Sequence, residues 1–114
     1  MRTVTLEICS EEEVKKRFAR AFEGEEQGKF ISFESPALLF KLLTRKRWEL
    51  LSAMTGAGPM SVREAARRVG RDVKAVHGDI HALLNAGVLT KTDEGSIVFP
   101  YDAVHVDFTL RTAL

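Results

Sequence analysis

Between Ser61 and Phe99, Gly70 and Gly87 each end a helical run, and a hairpin signal follows. Ser61 is followed three residues later by Glu64, the pattern in which a hydroxyl caps a helix N-terminus and an acid reaches back toward it. Val62, Ala65, Ala66 and Val69 then recur at helical spacing, and Gly70 ends the run. After the tight turn Gly70-Arg71, Asp72 caps a second helix that buries Val73, Val76, Ile80, Leu83 and Leu84 and stops at Gly87 in a left-handed cap. Val88–Thr92 and Ser96–Phe99 flank Asp93-Glu94-Gly95, a hairpin signal with glycine available for positive φ. Two helices joined by so short a turn cross steeply, and the small Ala65 and Ala66 let them approach closely. With a helix over Thr44–Thr55 in front, the order is helix (Thr44–Thr55), short helix (Ser61–Val69), longer helix (Asp72–Ala86) and hairpin (Val88–Phe99). That is the order of a winged helix-turn-helix.

The flanks add strands. Val4, Leu6 and Ile8 alternate with polar neighbours, which predicts a strand over Thr3–Ile8. Ser10 before Glu11, Glu12 and Glu13 predicts a capped helix with Val14, Phe18, Ala21 and Phe22 on one face, stopping near Gly24. Residues 24–28 read as a turn, and Phe30, Ile31 and Phe33 as a second strand. Ser35-Pro36 starts the next helix, with Leu38, Leu39, Leu42 and Leu43 as its stripe. Trp48, Leu50, Leu51 and Met54 point toward a core, and Gly56-Ala57-Gly58-Pro59 ends that helix. Val104, Val106, Phe108 and Leu110 alternate as a final half-buried strand after Pro100. The expected class is α+β: a strand–helix–strand extension over residues 1–35, then a winged helix and a C-terminal strand over 36–114.

Charge narrows the function. The 114 residues carry +1 overall, but residues 36–92 hold ten Lys/Arg against four Asp/Glu, residues 1–35 six against eight, and residues 93–114 one against four. A basic middle segment can hold a polyanion although the total is near neutral. The single cysteine, Cys9, excludes an internal disulfide framework and fits a reducing cytosol. Apolar runs are interrupted by charge before a membrane span could form, and the N-terminus lacks an apolar signal core, so a cytoplasmic protein is expected.

Subtracting the apolar positions of the helix at 72–86 leaves Lys74, Ala75, His77, Gly78 and His81 for its outer face. Lys74 and His77 can donate to base edges or phosphates, and Ala75 can meet a thymine methyl. Gly78 weakens the helix by roughly 1 kcal/mol relative to Ala; it either lets the backbone approach a groove or is a tolerated exposed glycine. Arg71 at the turn can reach a phosphate. Ser61 and Arg63 lie at a helix N-terminus that favours anions, Arg67 points outward on the same helix, and Lys91 is the basic residue of the first hairpin strand. The acidic tip Asp93-Glu94 argues against deep minor-groove insertion. Arg45-Lys46-Arg47 is either a phosphate clamp or a solvated face.

Other features read more simply as structure. His77 and His81 have a metal-chelating spacing, but no second pair completes a site, so no metal and no cofactor are expected. Cys9 reads as a buried structural thiol rather than a redox sensor, and Trp48 as a core anchor. With no phosphate loop, nucleophile motif or carboxylate pair, an enzyme is not expected.

The runs Phe33-Glu34-Ser35-Pro36, Leu43-Thr44-Arg45-Lys46-Arg47, Ser61-Val62-Arg63-Glu64-Ala65-Ala66, Val69-Gly70-Arg71-Asp72-Val73-Lys74-Ala75-Val76-His77 and Phe99-Pro100-Tyr101-Asp102 resemble a family of winged-helix transcriptional regulators of archaea and bacteria, in the wider MarR-like group. The resemblance covers about residues 30–108. It implies binding of double-stranded DNA through the helix at 72–86. Some members resemble antitoxin-type regulators, which implies a toxin-type protein partner. The expectation is therefore a homodimeric repressor that reads the major groove; the alternative is an antitoxin-type module acting through its first 35 residues.

Overall fold

The strand expected at the N-terminus forms over Thr3–Ile8 (β1), with Val4 and Leu6 fully buried on one face. The computed structural model of the chain describes residues 1–22 and 29–109, and the side chains of residues 21 and 22 are not among those described. The expected turn at 24–28, the stripe positions Ala21 and Phe22, and Leu110 at the end of the last strand therefore lie outside the described residues. Helix α1 (Glu11–Phe22) starts where the capping pattern places it, and the Glu13 amide donates to Ser10 Oγ at 3.2 Å. The Glu13 carboxylate, however, accepts from the Cys9 thiol at 3.4 Å.

The stripe expected on α1 is corrected by what lies beneath the helix. Val14 and Phe18 are exposed, and Arg17 turns inward instead. Glu7, on the face of β1 opposite Leu6, is buried, and a buried carboxylate needs a cation and donors more than two apolar side chains need cover. Arg17 pairs with both Glu7 oxygens, its Nη2 at 3.0 Å from Oε2, and its guanidinium lies 4.1 Å from the centre of the Phe30 ring. Ser32 Oγ donates to Glu7 Oε1 at 2.9 Å.

Strand β2 (Lys29–Phe33) and strand β5 (Ala103–Asp107) flank β1, giving a three-stranded sheet in the order β2-β1-β5 with both pairings parallel. Leu6 lies between Ile31 and Val106, and Val4 beside Val104, so one row of the sheet is apolar. Thr5 and Glu7 lie between Phe30 and Ser32 on one side and His105 and Asp107 on the other. The Asp102 amide donates to the Arg2 carbonyl at 2.7 Å, and the Arg2 amide returns to Asp102 Oδ2 at 2.9 Å, clamping the start of the β1–β5 ladder.

Between β2 and β5 the chain is mostly helical. Helix α2 (Pro36–Leu42) begins with Ser35 Oγ accepting from the Leu38 amide at 3.2 Å. Thr44 caps a fresh helix, α3 (Arg45–Met54). Helices α4 (Val62–Val69) and α5 (Val73–Asn85) follow, then strands β3 (Thr90–Lys91) and β4 (Ile97–Val98), a hairpin shorter than the expected Val88–Thr92 and Ser96–Phe99. Val88 and Leu89 are buried and leave α5 through bonds from both their amides to the Leu83 carbonyl, which keeps them out of the ladder. Met60 adds a bridge to Ile97 on the other side of the hairpin, with both bonds below 3 Å.

One apolar core joins these parts. Val4 and Leu6 of the sheet, Leu50, Leu51 and Met54 of α3, Ala65 and Ala66 of α4, Val76, Ile80 and Leu83 of α5, and Phe99 are all buried in it. Leu39 and Leu43 join, but Leu38 of the same stripe faces solvent, as does Val73 at the start of α5. Trp48, expected in the core, is 39% exposed, because β5 reaches only far enough to cover part of its side of α3. The fold is α+β, with five helices and two small sheets among the described residues.

Candidate nucleic-acid interface

The α4–α5 pair owes its geometry to three local devices. Ser61 Oγ accepts from the Glu64 amide at 3.1 Å and starts α4. Gly70 sits at φ 64°, ψ 37°, and its amide donates back to the Ala66 and Arg67 carbonyls, ending the helix in the left-handed region that side chains disfavour. Asp72 then accepts from the Lys74 and Ala75 amides at 3.1 and 3.4 Å and starts α5 two residues later. α4 packs against both α3 and α5, with Ala65 and Ala66 buried between them.

This arrangement brings most of the predicted residues to the surface. Lys74, Ala75, His77, Gly78 and His81 all lie exposed on α5. Ser61, Arg63 and Arg67 are exposed on or before α4, and Lys91 is exposed on β3. Arg63, Lys74 and Lys91 take part in no ion pair among the described residues. A Cβ added at Gly78 would meet nothing within 4 Å, so the helix offers bare backbone there. The His77 and His81 Nε2 atoms are 3.1 Å apart, so one ring donates to the other. No group of three or more His, Cys, Asp or Glu that could hold a metal occurs among the described residues.

Arg71 is placed differently from the sequence expectation. Its side chain is only 18% exposed, and its Nη2 donates to Asp79 Oδ2 at 2.8 Å. Arg47, from the basic run at the start of α3, donates through Nε to the other oxygen of Asp79 at 3.0 Å and through Nη1 to the Leu42 carbonyl at 3.1 Å. One carboxylate on α5 thus ties down the α4–α5 turn and the first turn of α3. Burial pushes the Asp79 carboxyl up, but the two guanidiniums outweigh it and hold the group below its ordinary range. Arg71 Nη1 is buried without an acceptor among the described residues, a further sign that this guanidinium faces inward. Asp79 escaped the sequence reading. Its signal was its rarity, since it is one of four acids in the basic middle segment and stands beside the buried Ile80.

Arg67 is also engaged, though at the surface. Its Nε and Nη2 meet both oxygens of Glu64 at 3.0 and 2.5 Å, and Arg68 Nε joins at 2.8 Å. Hydrogen bonds from Arg67 and Arg68 hold the Glu64 carboxyl down to about 2. Glu64 therefore serves these arginines rather than returning to the Ser61 amide as a full capping box would. Arg45 pairs similarly with Glu49 at 3.3 Å, which leaves Lys46 as the cation of that run without an ion pair among the described residues.

Cys9 is buried as expected. Burial pushes its thiol up, and the carboxylates of Glu13 and Glu7 push in the same direction. Among the described residues no helix is long and apolar enough to cross a membrane.

No curated protein and no solved structure matches the chain. The family model HVO_A0114 matches residues 42–106, which run from the end of α2 through α3, α4, α5 and the hairpin into β5 and take in the whole candidate interface. That is more than half of the 114 residues, and the chain belongs to the HVO_A0114 family.

Proposed function

We propose that the protein is a sequence-specific regulator that binds double-stranded DNA, acting as a cytoplasmic homodimeric repressor rather than an enzyme. In this reading α3, α4, α5 and the β3–β4 hairpin form a winged helix of the MarR-like group, and α5 enters the major groove. The observation that carries it is the outward row Lys74, Ala75, His77, Gly78 and His81 on a helix capped and turned by Gly70-Arg71-Asp72. The row mixes a cation, imidazole donors, a methyl and bare backbone, which suits base edges as well as phosphates. Arg63 and the α4 N-terminus supply a neighbouring phosphate contact, and Lys91 supplies one from the hairpin. Two such helices in a two-fold dimer would meet major grooves ~34 Å apart.

The test is an anisotropy titration of the protein against duplex DNA from its own upstream region at several salt concentrations. Binding that weakens log-linearly with salt, and prefers this duplex over a scrambled one, is expected. Absence of binding at low salt would remove the reading. The second reading, an antitoxin-type module, is favoured by α1, whose Glu11, Glu12 and Glu13 are exposed beside an exposed Val14. An acidic surface with apolar contacts suits a basic protein partner, and co-purification with the neighbouring gene's product would reveal one.

A further inference from the structure

Among the described residues, β5 is an edge strand with no pairing partner on its outer side. It has β1 on one flank and, among the described residues, no strand on the other. Its sequence, Ala103-Val104-His105-Val106-Asp107, holds no proline, lysine or glycine, so its outward amides and carbonyls form a template for another strand. Nor is its apolar row closed over among the described residues. Val106 and the following Phe108 are exposed and border a groove of about 300 Å³ shared with Leu39, Phe40, Leu43 and Trp48. Phe108 meets the Phe40 ring edge-on at 6.1 Å, so the apolar surface continues onto α2.

We infer that β5 pairs antiparallel with the β5 of a second copy of this chain, about a two-fold axis through Val106. The strand's own pattern selects both partner and register. Residues directly opposed in an antiparallel pair share a face. Centred on Val106, the axis sets Val106 against itself, Val104 against the partner's Phe108, and His105 against the partner's Asp107. The apolar row meets an apolar row, and an imidazole meets a carboxylate twice. Centred on His105, the imidazole would meet itself and Asp107 would face an alanine. Centred on Val104, Asp107 would face a tyrosine and His105 an alanine. Asp107 has room for an imidazole partner: its neighbour on β1 is the acidic Glu7, which already has Arg17, and Asp107 forms no ion pair among the described residues. The result is a six-stranded sheet with two apolar grooves side by side on one face, an isologous interface of the commonest kind.

The inference deepens the two-fold reading above, and its test contains no DNA, so loss of the dimer and loss of DNA binding are read apart. Sedimentation equilibrium of the full chain at up to about 100 µM gives a dimer. Val106→Asp gives a monomer with unchanged far-UV circular dichroism. His105→Asp weakens the dimer roughly tenfold, because like charges then oppose at two places. Adding Asp107→Lys to His105→Asp restores the wild-type dimer. A monomeric wild type, a dimer indifferent to Val106→Asp, or a double variant as weak as His105→Asp alone would each overturn it.

Discussion

Asp79 accepts guanidiniums that arrive from two different elements, so its charge is what keeps Arg47 and Arg71 folded inward. All three side chains are less than a quarter exposed. Asp79→Ala is expected to lower stability by roughly 3 kcal/mol in urea titrations, because it strands two cations in a poorly solvated place. The pH dependence has a definite sign. A carboxyl held below its ordinary value contributes stability that is whole above the unfolded pKa and is lost as pH falls through the folded one. Wild type should therefore lose stability more steeply than Asp79→Asn below pH ~4, and parallel acid limbs would contradict the pairing. The two basic residues near the turn should also part company. Lys74→Ala is expected to reduce the salt slope of duplex binding by about one while leaving the urea midpoint in place. Arg71→Ala should shift the midpoint first, and a variant that changes only DNA affinity would return Arg71 to the surface role read from sequence. The caps were legible residue by residue, since Ser35, Ser61 and Asp72 act on amides two or three positions away. The Arg47–Asp79–Arg71 cluster was not, because its partners lie 32 and 8 residues apart and meet only once the helices are packed.

At the scale of the element, α5 carries an internal weakness on its outward side. Nothing surrounds Gly78 that a methyl group would touch, so crowding inside the protein does not require glycine there. Gly78→Ala is expected to raise stability by about 1 kcal/mol through helix propensity. If the backbone at this point lies against DNA, the same variant loses duplex affinity; unchanged affinity in thermal and anisotropy measurements would make the glycine a merely tolerated one. The element boundaries themselves were well indicated, α5 running Val73–Asn85 behind its Asp72 cap. Periodicity misled where cover was missing or a polar demand intervened. Val14, Leu38, Trp48 and Val73 all fall at helical spacing and yet stay exposed, because a stripe records which side is apolar and not whether anything covers it fully.

The whole molecule is joined by a ladder that local patterning could not reveal. Alternation marked residues near 3–8 and 104–110 as strands, but it carries no information on which strands pair, and the parallel contact of β1 with β5 spans about a hundred residues. Since Val4 and Leu6 share one core with Ile80, Leu83 and Phe99, the sheet and the helices should open together. Hydrogen exchange is expected to place the Leu6 and Ile80 amides in the same slow class, and exchange of β1 through a separate, lower-energy opening would show two units instead. The order of strands also bears on how the chain is born. β1 is the middle strand, and its two neighbours are made after it, one at residues 29–33 and the other only at 103–107. During synthesis one edge of β1 must wait, bare, until residues 103–107 have left the ribosome. The central strand is thus translated before either neighbour and completed only with the later one, and a stalled or truncated product ending before residue 103 would carry a sticky, half-built sheet.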